Sequence, residues 1–196
     1  AGKNQTVCSN TAQLNAVDPT PGTGVWTSIG DVATIVNETK FNTVVTDLGP
    51  NTNTFKWTVT QNKCTGSAYV VITNNAVNAT AGDDQNVCGT TATLSGNEPD
   101  VGEIGRWKVV VGSSELVNSS QYNTDVFNLG LGANRLRWTI TGKYCKDSAD
   151  VVIVNNSVSA SAGNDQTLCT DETILAAAHP SPASGEWSVF GGSAIF

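Results

Sequence analysis

The sequence AGKNQTVC at residues 1–8 returns as AGDDQNVC at residues 81–88, and a third time as AGNDQTLC at residues 162–169. The residues that follow stay in the same register, and about 33 of the 80 aligned positions of the first two copies are identical. Self-similarity at a fixed period is the signature of a repeat protein. The chain is therefore a tandem array, and its fold is the fold of one repeat.

This period divides the 196 residues into three units. We assign repeat 1 to residues 1–80, repeat 2 to residues 81–161, and the N-terminal part of a truncated third repeat to residues 162–196. Part of a repeat supplies too few strands to close a core of its own. We therefore expect the natural protein to continue as a longer array; the alternative is that this part borrows strands from a neighbour.

Each complete repeat has the pattern of β-structure. Residues 55–60 and 136–141 alternate apolar and polar side chains, which is the period of a half-buried strand. Short segments of this kind, separated by Pro, Gly and Asn turns, predict seven strands in repeat 1, at residues 5–8, 11–16, 25–29, 33–36, 43–48, 55–60 and 67–73. About seven strands in 80 residues predict an all-β fold, in which immunoglobulin-like antiparallel β-sandwiches follow one another in an elongated rod.

The two copies also indicate which face of the last strand is buried. Tyr69 aligns with Asp150, so this position should point outward. Ala68, Val70 and Ile72 should then point inward. The connection at residues 74–80 has neither a Gly/Ser tract nor a Pro-rich spacer, and such a short segment should hold neighbouring repeats semi-rigidly.

Five cysteines recur at matched positions, and none belongs to a Cys-x-x-Cys motif. We favour disulfides within each repeat, Cys8 with Cys64 and Cys88 with Cys145, which leaves Cys169 unpaired by truncation. The alternatives are Cys64 with Cys88 together with Cys145 with Cys169, or a bridge between neighbouring repeats such as Cys8 with Cys145. Every scheme requires an oxidising compartment, and therefore an extracellular protein.

The sequence offers little chemistry for catalysis or cofactor binding. It has no nucleophile motif and no zinc signature, and its single histidine, His179, lies in a Pro-rich loop. Asp83 and Asp84 at the repeat junction could contribute to a calcium site, but the matching residues of repeat 1 are Lys3 and Asn4, so we favour turn residues and no cofactor. The net charge of −7 argues against nucleic acid, and no apolar run is long enough for membrane insertion.

Two groups of side chains could serve as a binding surface. Five tryptophans occupy matched positions and could form sugar-stacking platforms: Trp26, Trp57, Trp107, Trp138 and Trp187. We favour core packing instead, and Trp26, Trp57, Trp107 and Trp138 are the predicted core residues. Repeat 2 also carries a cationic strand with Arg135 and Arg137, near which Arg106 and Lys108 could lie. A solvated sheet face is the simpler interpretation of these charges.

The motifs at residues 81–88, 105–107 and 134–145 resemble the Ig-like or PKD-like tandem repeats of very large Bacteroidota surface proteins, including gliding-motility adhesins. This resemblance implies export, commonly by type 9 secretion, and an extracellular location at the cell surface. It also makes Ser148, in the sequence Asp147-Ser148-Ala149, a candidate O-glycosylation acceptor.

The leading hypothesis is a non-catalytic stalk or filament segment of a large secreted adhesin. Its partners would be the adjacent repeats of the same chain and, if it assembles, like chains in a fibre. The alternatives are a spacer in a secreted polysaccharide-degrading enzyme, or a module that binds a carbohydrate or another external surface.

Overall fold

A computed structural model of the chain describes residues 1–30, 33–181 and 183–195, so Phe196 lies outside the described residues. The strands of repeat 1 are β1 (Gln5–Val7), β2 (Ala12–Asn15), β3 (Thr23–Ile29), β4 (Thr34–Ile35), β5 (Asn42–Thr46), β6 (Asn51–Gln61) and β7 (Cys64–Asn74). Those of repeat 2 are β8 (Gln85–Val87), β9 (Ala92–Ser95), β10 (Ile104–Val111), β11 (Glu115–Leu116), β12 (Asn123–Phe127), β13 (Gly132–Thr141) and β14 (Lys146–Asn155). Among the described residues, the prediction of an all-β fold with about seven strands in each repeat is confirmed.

Each repeat is an Ig-like sandwich of a four-stranded and a three-stranded sheet. In repeat 1 the strand orders are β1-β7-β6-β3 and β2-β5-β4, and in repeat 2 they are β8-β14-β13-β10 and β9-β12-β11. One pair in each repeat departs from the antiparallel prediction, because β1 runs parallel to β7 and β8 runs parallel to β14. The short first strand therefore ends at the same end of the sheet as the last strand.

A tryptophan pair forms the centre of each core. Trp26 and Trp57 lie opposite each other on β3 and β6, with ring centroids 5.0 Å apart. Trp107 and Trp138 repeat the arrangement at 5.1 Å. All four side chains are at most 3% exposed. A glycine precedes each pair because the facing indole fills the space a side chain would need: a Cβ at Gly24 would lie 2.0 Å from Trp57 Cζ2.

The side chains of β7, the last strand of repeat 1, test the prediction of which residues face the core. Tyr69 is 56% exposed, whereas Val70 and Ile72 are buried, as the alignment predicts. Ala68 lies on the same face of β7 as Val70 and Ile72, as predicted, but it is exposed. It lies on the inward side of β7 at the end where the sandwich is open, so nothing covers it.

The third copy preserves the start of a repeat without its sheets. The Gln166 side-chain amide donates to the carbonyl of Ile174, as Gln5 donates to Gln13 and Gln85 to Thr93. Within the described part of residues 162–196, no strand is formed. In the complete repeats the first and third strands pair with the sixth and seventh, and this unit has no such partners among its described residues.

Candidate functional site

The junction between the two repeats is held by buried apolar contacts, hydrogen bonds and a disulfide. The connection after β7 packs onto the near end of repeat 2, where Ala79 and Ala81 are buried in its core cluster and Val77 packs against it. The Ala79 amide donates to the Asp147 carboxylate of β14 over 2.9 Å. The connection is therefore part of the second sandwich and not a loose tether.

Asn97 fastens this connection to the loop after β9. Its side-chain oxygen accepts from the Thr80 amide at 2.7 Å, and its side-chain amide donates to the Asn78 carbonyl at 2.8 Å. Its backbone amide donates to the Thr80 carbonyl, and its own carbonyl accepts from the Trp138 indole at 3.2 Å. One residue thus joins the connection, the loop and the core tryptophan.

A disulfide closes the junction on another side. Cys8, directly after β1, is bonded to Cys145, directly before β14 of repeat 2, with their Cα atoms 5.6 Å apart. Cys145 is buried and its sulfur also lies 3.8 Å from the Val7 carbonyl. The bond crosses between repeats, and the pairings favoured from the sequence, Cys8 with Cys64 and Cys88 with Cys145, are wrong.

The direction of β1 explains the error. Val7 lies opposite Asn74, at the far end of β7, while Cys64 is the first residue of the same strand. Ten residues of strand separate the two positions by about 33 Å, far beyond the reach of a disulfide. Because β1 is parallel to β7, Cys8 leaves repeat 1 at the end that faces repeat 2. Cys64, Cys88 and Cys169 have exposed, free thiols in the described structure.

Of the acidic pair considered for calcium, Asp83 and Asp84, the second has a local structural role. The Asp84 side chain accepts from the Val152 amide at 2.8 Å, as Asn4 accepts from the Val71 amide at 3.0 Å. Both side chains fix the start of a repeat to its last strand. The described residues contain no group of three or more His, Cys, Asp or Glu side chains arranged to hold a metal ion.

The cationic face of repeat 2 contains a carboxylate partner. Arg137 donates two hydrogen bonds to Asp150, at 2.6 and 2.9 Å, and Arg135 lies 3.8 Å from the same carboxylate. The hydrogen bonds from Arg137 are the main reason why the pKa of Asp150 lies below its ordinary value. Asp150 therefore offsets part of the positive charge, and Lys108 lies opposite Arg137 across β10 and β13.

The remaining candidates are placed as follows. The four core tryptophans are at most 3% exposed, which is too little for any of them to stack on a sugar in this structure. Ser148 is exposed on β14, opposite Thr139 of β13. Its role as a glycosylation acceptor stays a prediction.

The sequence reasoning missed the residues that build the junction. The alternation of Val77, Ala79 and Ala81 is the period of an extended, half-buried segment, and this signal was available. Asn97 carried no such signal, because its counterparts are Val17 and Ala178. Its role depends on the connection lying against it.

No helix that could span a membrane is found among the described residues. No protein-family model matches the sequence, and no curated protein matches it.

Several solved structures are similar in fold. They include extracellular domains 3–5 of Drosophila OTK, at 13% identity and TM-score 0.35 over 77% of this chain and 57% of that one. A titin fragment aligns at 12% identity and TM-score 0.32, over 79% of this chain and 95% of the fragment. The endo-fucoidan hydrolase MfFcnA4 of glycoside hydrolase family 107 aligns at 11% identity and TM-score 0.32, over 79% of this chain and 27% of the hydrolase. The chain thus spans a little over half of the OTK fragment and about a quarter of the hydrolase, and the likeness concerns the fold alone.

Proposed function

We propose that this chain is a non-catalytic stalk segment of a large secreted adhesin at the cell surface, of the gliding-motility adhesin type that its repeats resemble. The observation that carries the proposal is the junction, which joins the two sandwiches by a buried connection and by the Cys8–Cys145 bond. Two attachments at separate points oppose bending and twisting between repeats. A stalk needs this property, because it must hold a distal binding region away from the cell.

The disulfide also supports the location. Structural disulfides form and persist in oxidising compartments, such as the space outside a bacterial cell. The stalk role assigns no catalytic residue and no cofactor to the chain. Its immediate partners are neighbouring repeats, and an adhesion target would be bound by parts of the protein outside these residues.

Immunogold electron microscopy of intact source cells tests the proposal. Antibody raised against the purified chain should label fibres that radiate from the cell, with gold particles strung along their length. Pre-immune serum and cells from which the gene has been deleted provide the controls.

A different distribution would contradict the stalk role. Label found only in the medium, and co-fractionating with a soluble polysaccharide-degrading activity, would favour the spacer of a secreted enzyme. Label confined to the cytoplasm would contradict both secretion and the adhesin role.

A further inference from the structure

We call the end of a sandwich at which its last strand begins, β7 or β14, the near end. In repeat 1 this end has the same construction as in repeat 2, but it is open. An exposed hollow of about 610 Å³ lies beside Trp57, Val59, Cys64 and Ala68. The matching residues of repeat 2 are Trp138, Ile140, Cys145 and Ala149. There Val77 and Ala79 of the preceding connection pack against the same core, and Cys145 is bonded to Cys8.

A buried polar group marks this hollow as an incomplete site. The Trp57 indole N–H is buried and has no hydrogen-bond partner among the described residues. Leaving such a donor unpaired costs free energy. In repeat 2 the same N–H donates to the carbonyl of Asn97, which the connection holds in place. In repeat 1 the matching residue, Val17, is 82% exposed, and its carbonyl accepts no hydrogen bond from the Trp57 indole.

From the open hollow and the unpaired Trp57 indole N–H, we infer that the hollow and Cys64 form a docking site for another repeat of this kind, joined ahead of Ala1. The parts that dock are the connection after that repeat and the cysteine that follows its first strand. The proposal deepens the stalk role, since it names the partner that each repeat end takes. In the docked state a Val-x-Ala segment fills the hollow, and the cysteine after the partner's first strand bonds to Cys64. Cys88, exposed after β8, is the complementary half that repeat 2 offers to a repeat on its other side.

The backbone contact that accompanies docking recurs at each junction within the chain. The Asn97 amide donates to the Thr80 carbonyl at 3.1 Å, and the matching Ala178 amide donates to the Ser161 carbonyl at 2.9 Å. The Val17 amide is the equivalent donor in repeat 1. It would bond to the residue before Ala1, and so bring the Val17 carbonyl towards the Trp57 indole.

The covalent step is an oxidation of two thiols. The Cys64 sulfur and the partner sulfur form one bond and release two protons and two electrons. A low-molecular-weight disulfide, such as oxidised glutathione, takes up the two electrons and both protons and becomes two thiols.

The test places a copy of residues 81–161 ahead of Ala1 of the full chain, with Cys88→Ser in the original repeat 2 only. The purified fusion is oxidised in a glutathione buffer, alkylated and digested with trypsin. Because Lys63 and Arg106 flank it, Cys64 lies on a tryptic peptide at residues 64–106. The peptide with the copied cysteine starts at the N-terminus of the fusion, so its mass differs.

We expect a bridged pair of these two peptides and at least a tenfold fall in the alkylation of Cys64, relative to a control fusion with Cys88→Ser in both copies. In both the test fusion and the control fusion, the disulfide between Cys8 and Cys145 serves as an internal control for correct folding. Fully alkylated Cys64 in a fusion that contains the Cys8–Cys145 bond would overturn the proposal, as would a bond between Cys64 and any other cysteine.

A second measurement tests the hollow without the bond. In the control fusion the Trp57 indole N–H should exchange with solvent at least tenfold more slowly than in the original chain, as followed by nuclear magnetic resonance. Equal exchange rates would overturn docking of the connection. Both measurements use purified protein, so their failure would leave the cellular location of the stalk to be decided by microscopy.

Discussion

The two repeats have one fold, but they differ at one end. In repeat 2 the connection from repeat 1 covers the near end of the core, Trp138 has its hydrogen-bond acceptor, and Ala149 is partly buried. In repeat 1 no described residue covers the same end, the Trp57 indole N–H has no acceptor among those residues, and Ala68 is exposed. The difference teaches that residues from the preceding repeat contribute to the core of repeat 2, whereas the core of repeat 1 is built from its own residues alone.

The hairpin that carries Cys64, between β6 and β7, also differs in backbone from the hairpin that carries Cys145, between β13 and β14. In repeat 1, Asn62 and Lys63 both have positive φ, at 50° and 67°, as in a tight two-residue turn that keeps Cys64 paired in the sheet. In repeat 2 the strands end earlier, at Thr141 and Lys146, and Cys145 turns towards repeat 1. Tyr144 also disfavours the left-handed conformation that Lys63 adopts. The bridged hairpin of repeat 2 and the free hairpin of repeat 1 therefore have different backbones.

Removing the bridge should produce the largest change, because Cys145 of repeat 2 is bonded whereas the matching Cys64 of repeat 1 is free. A crosslink over a sequence separation of 137 residues contributes about 5 kcal/mol in the chain-entropy treatment. Cys145→Ser should therefore melt well below the wild-type chain by calorimetry under oxidising conditions. Cys64→Ser is the matched control, and it should melt within a degree or two of wild type. Equal melting of Cys145→Ser and wild type would contradict a structural bridge.

Adding a methyl group beside each tryptophan pair should destabilise repeat 2, whose near end is covered, more than repeat 1, whose near end is open. A Cβ at Gly105 would lie 2.2 Å from the Trp138 ring, and one at Gly24 would lie 2.0 Å from Trp57. Substitutions of this kind cost about 1–3 kcal/mol. We expect Gly105→Ala to cost about 1 kcal/mol more than Gly24→Ala, because Trp57 can shift into the hollow and Trp138 cannot. Denaturant unfolding of both variants measures the difference, and a larger cost for Gly24→Ala would contradict the comparison.

Asn97→Ala should remove the polar fastening of the connection. The change deletes two side-chain hydrogen bonds to residues 78 and 80, each worth about 1 kcal/mol. We expect repeat 2 to lose about 1–2 kcal/mol of unfolding free energy. Val17→Ala at the matched position should change stability by only a few tenths of a kcal/mol, since Val17 is exposed. Losses of equal size in the two variants would show that Asn97 has no special role.

The ion pair on the outer face should give the smallest effect. Hydrogen bonds from Arg137 lower the folded-state pKa of Asp150 below its unfolded value. Its stabilising contribution is therefore complete above the unfolded pKa and is lost as the pH falls through the folded pKa. Asp150→Asn should lower the Tm by about 1–3 °C at pH 7, and this difference should vanish in strong acid. A Tm deficit that persists at low pH would mean that the carboxylate charge is not its cause.

The parts of this structure that the sequence predicts are those that depend on contacts within one repeat. Alternation places Trp57 and Trp138 in strands, and the alignment of Tyr69 with Asp150 places that position outside. The disulfide depends on something no local pattern contains, namely the end of the sheet at which the three-residue strand β1 finishes. The exposure of Ala68 also has no signal in the local pattern, because the matching Ala149 packs against a core that includes residues of the connection.

The bond from Cys8 to Cys145 also has a mechanical meaning. When the chain is pulled from its two ends, force passes from residue 8 through the sulfur atoms to residue 145 and then along β14. The 136 residues between the two cysteines (145 − 8 − 1 = 136) lie in a covalently closed loop that carries no tension. Fully stretched, that loop would add roughly 450–490 Å to the end-to-end length, and the disulfide prevents this extension. Repeat 1 and most of repeat 2 could thus lose their fold without lengthening the chain, and a reducing agent would convert this inextensible segment into an extensible one.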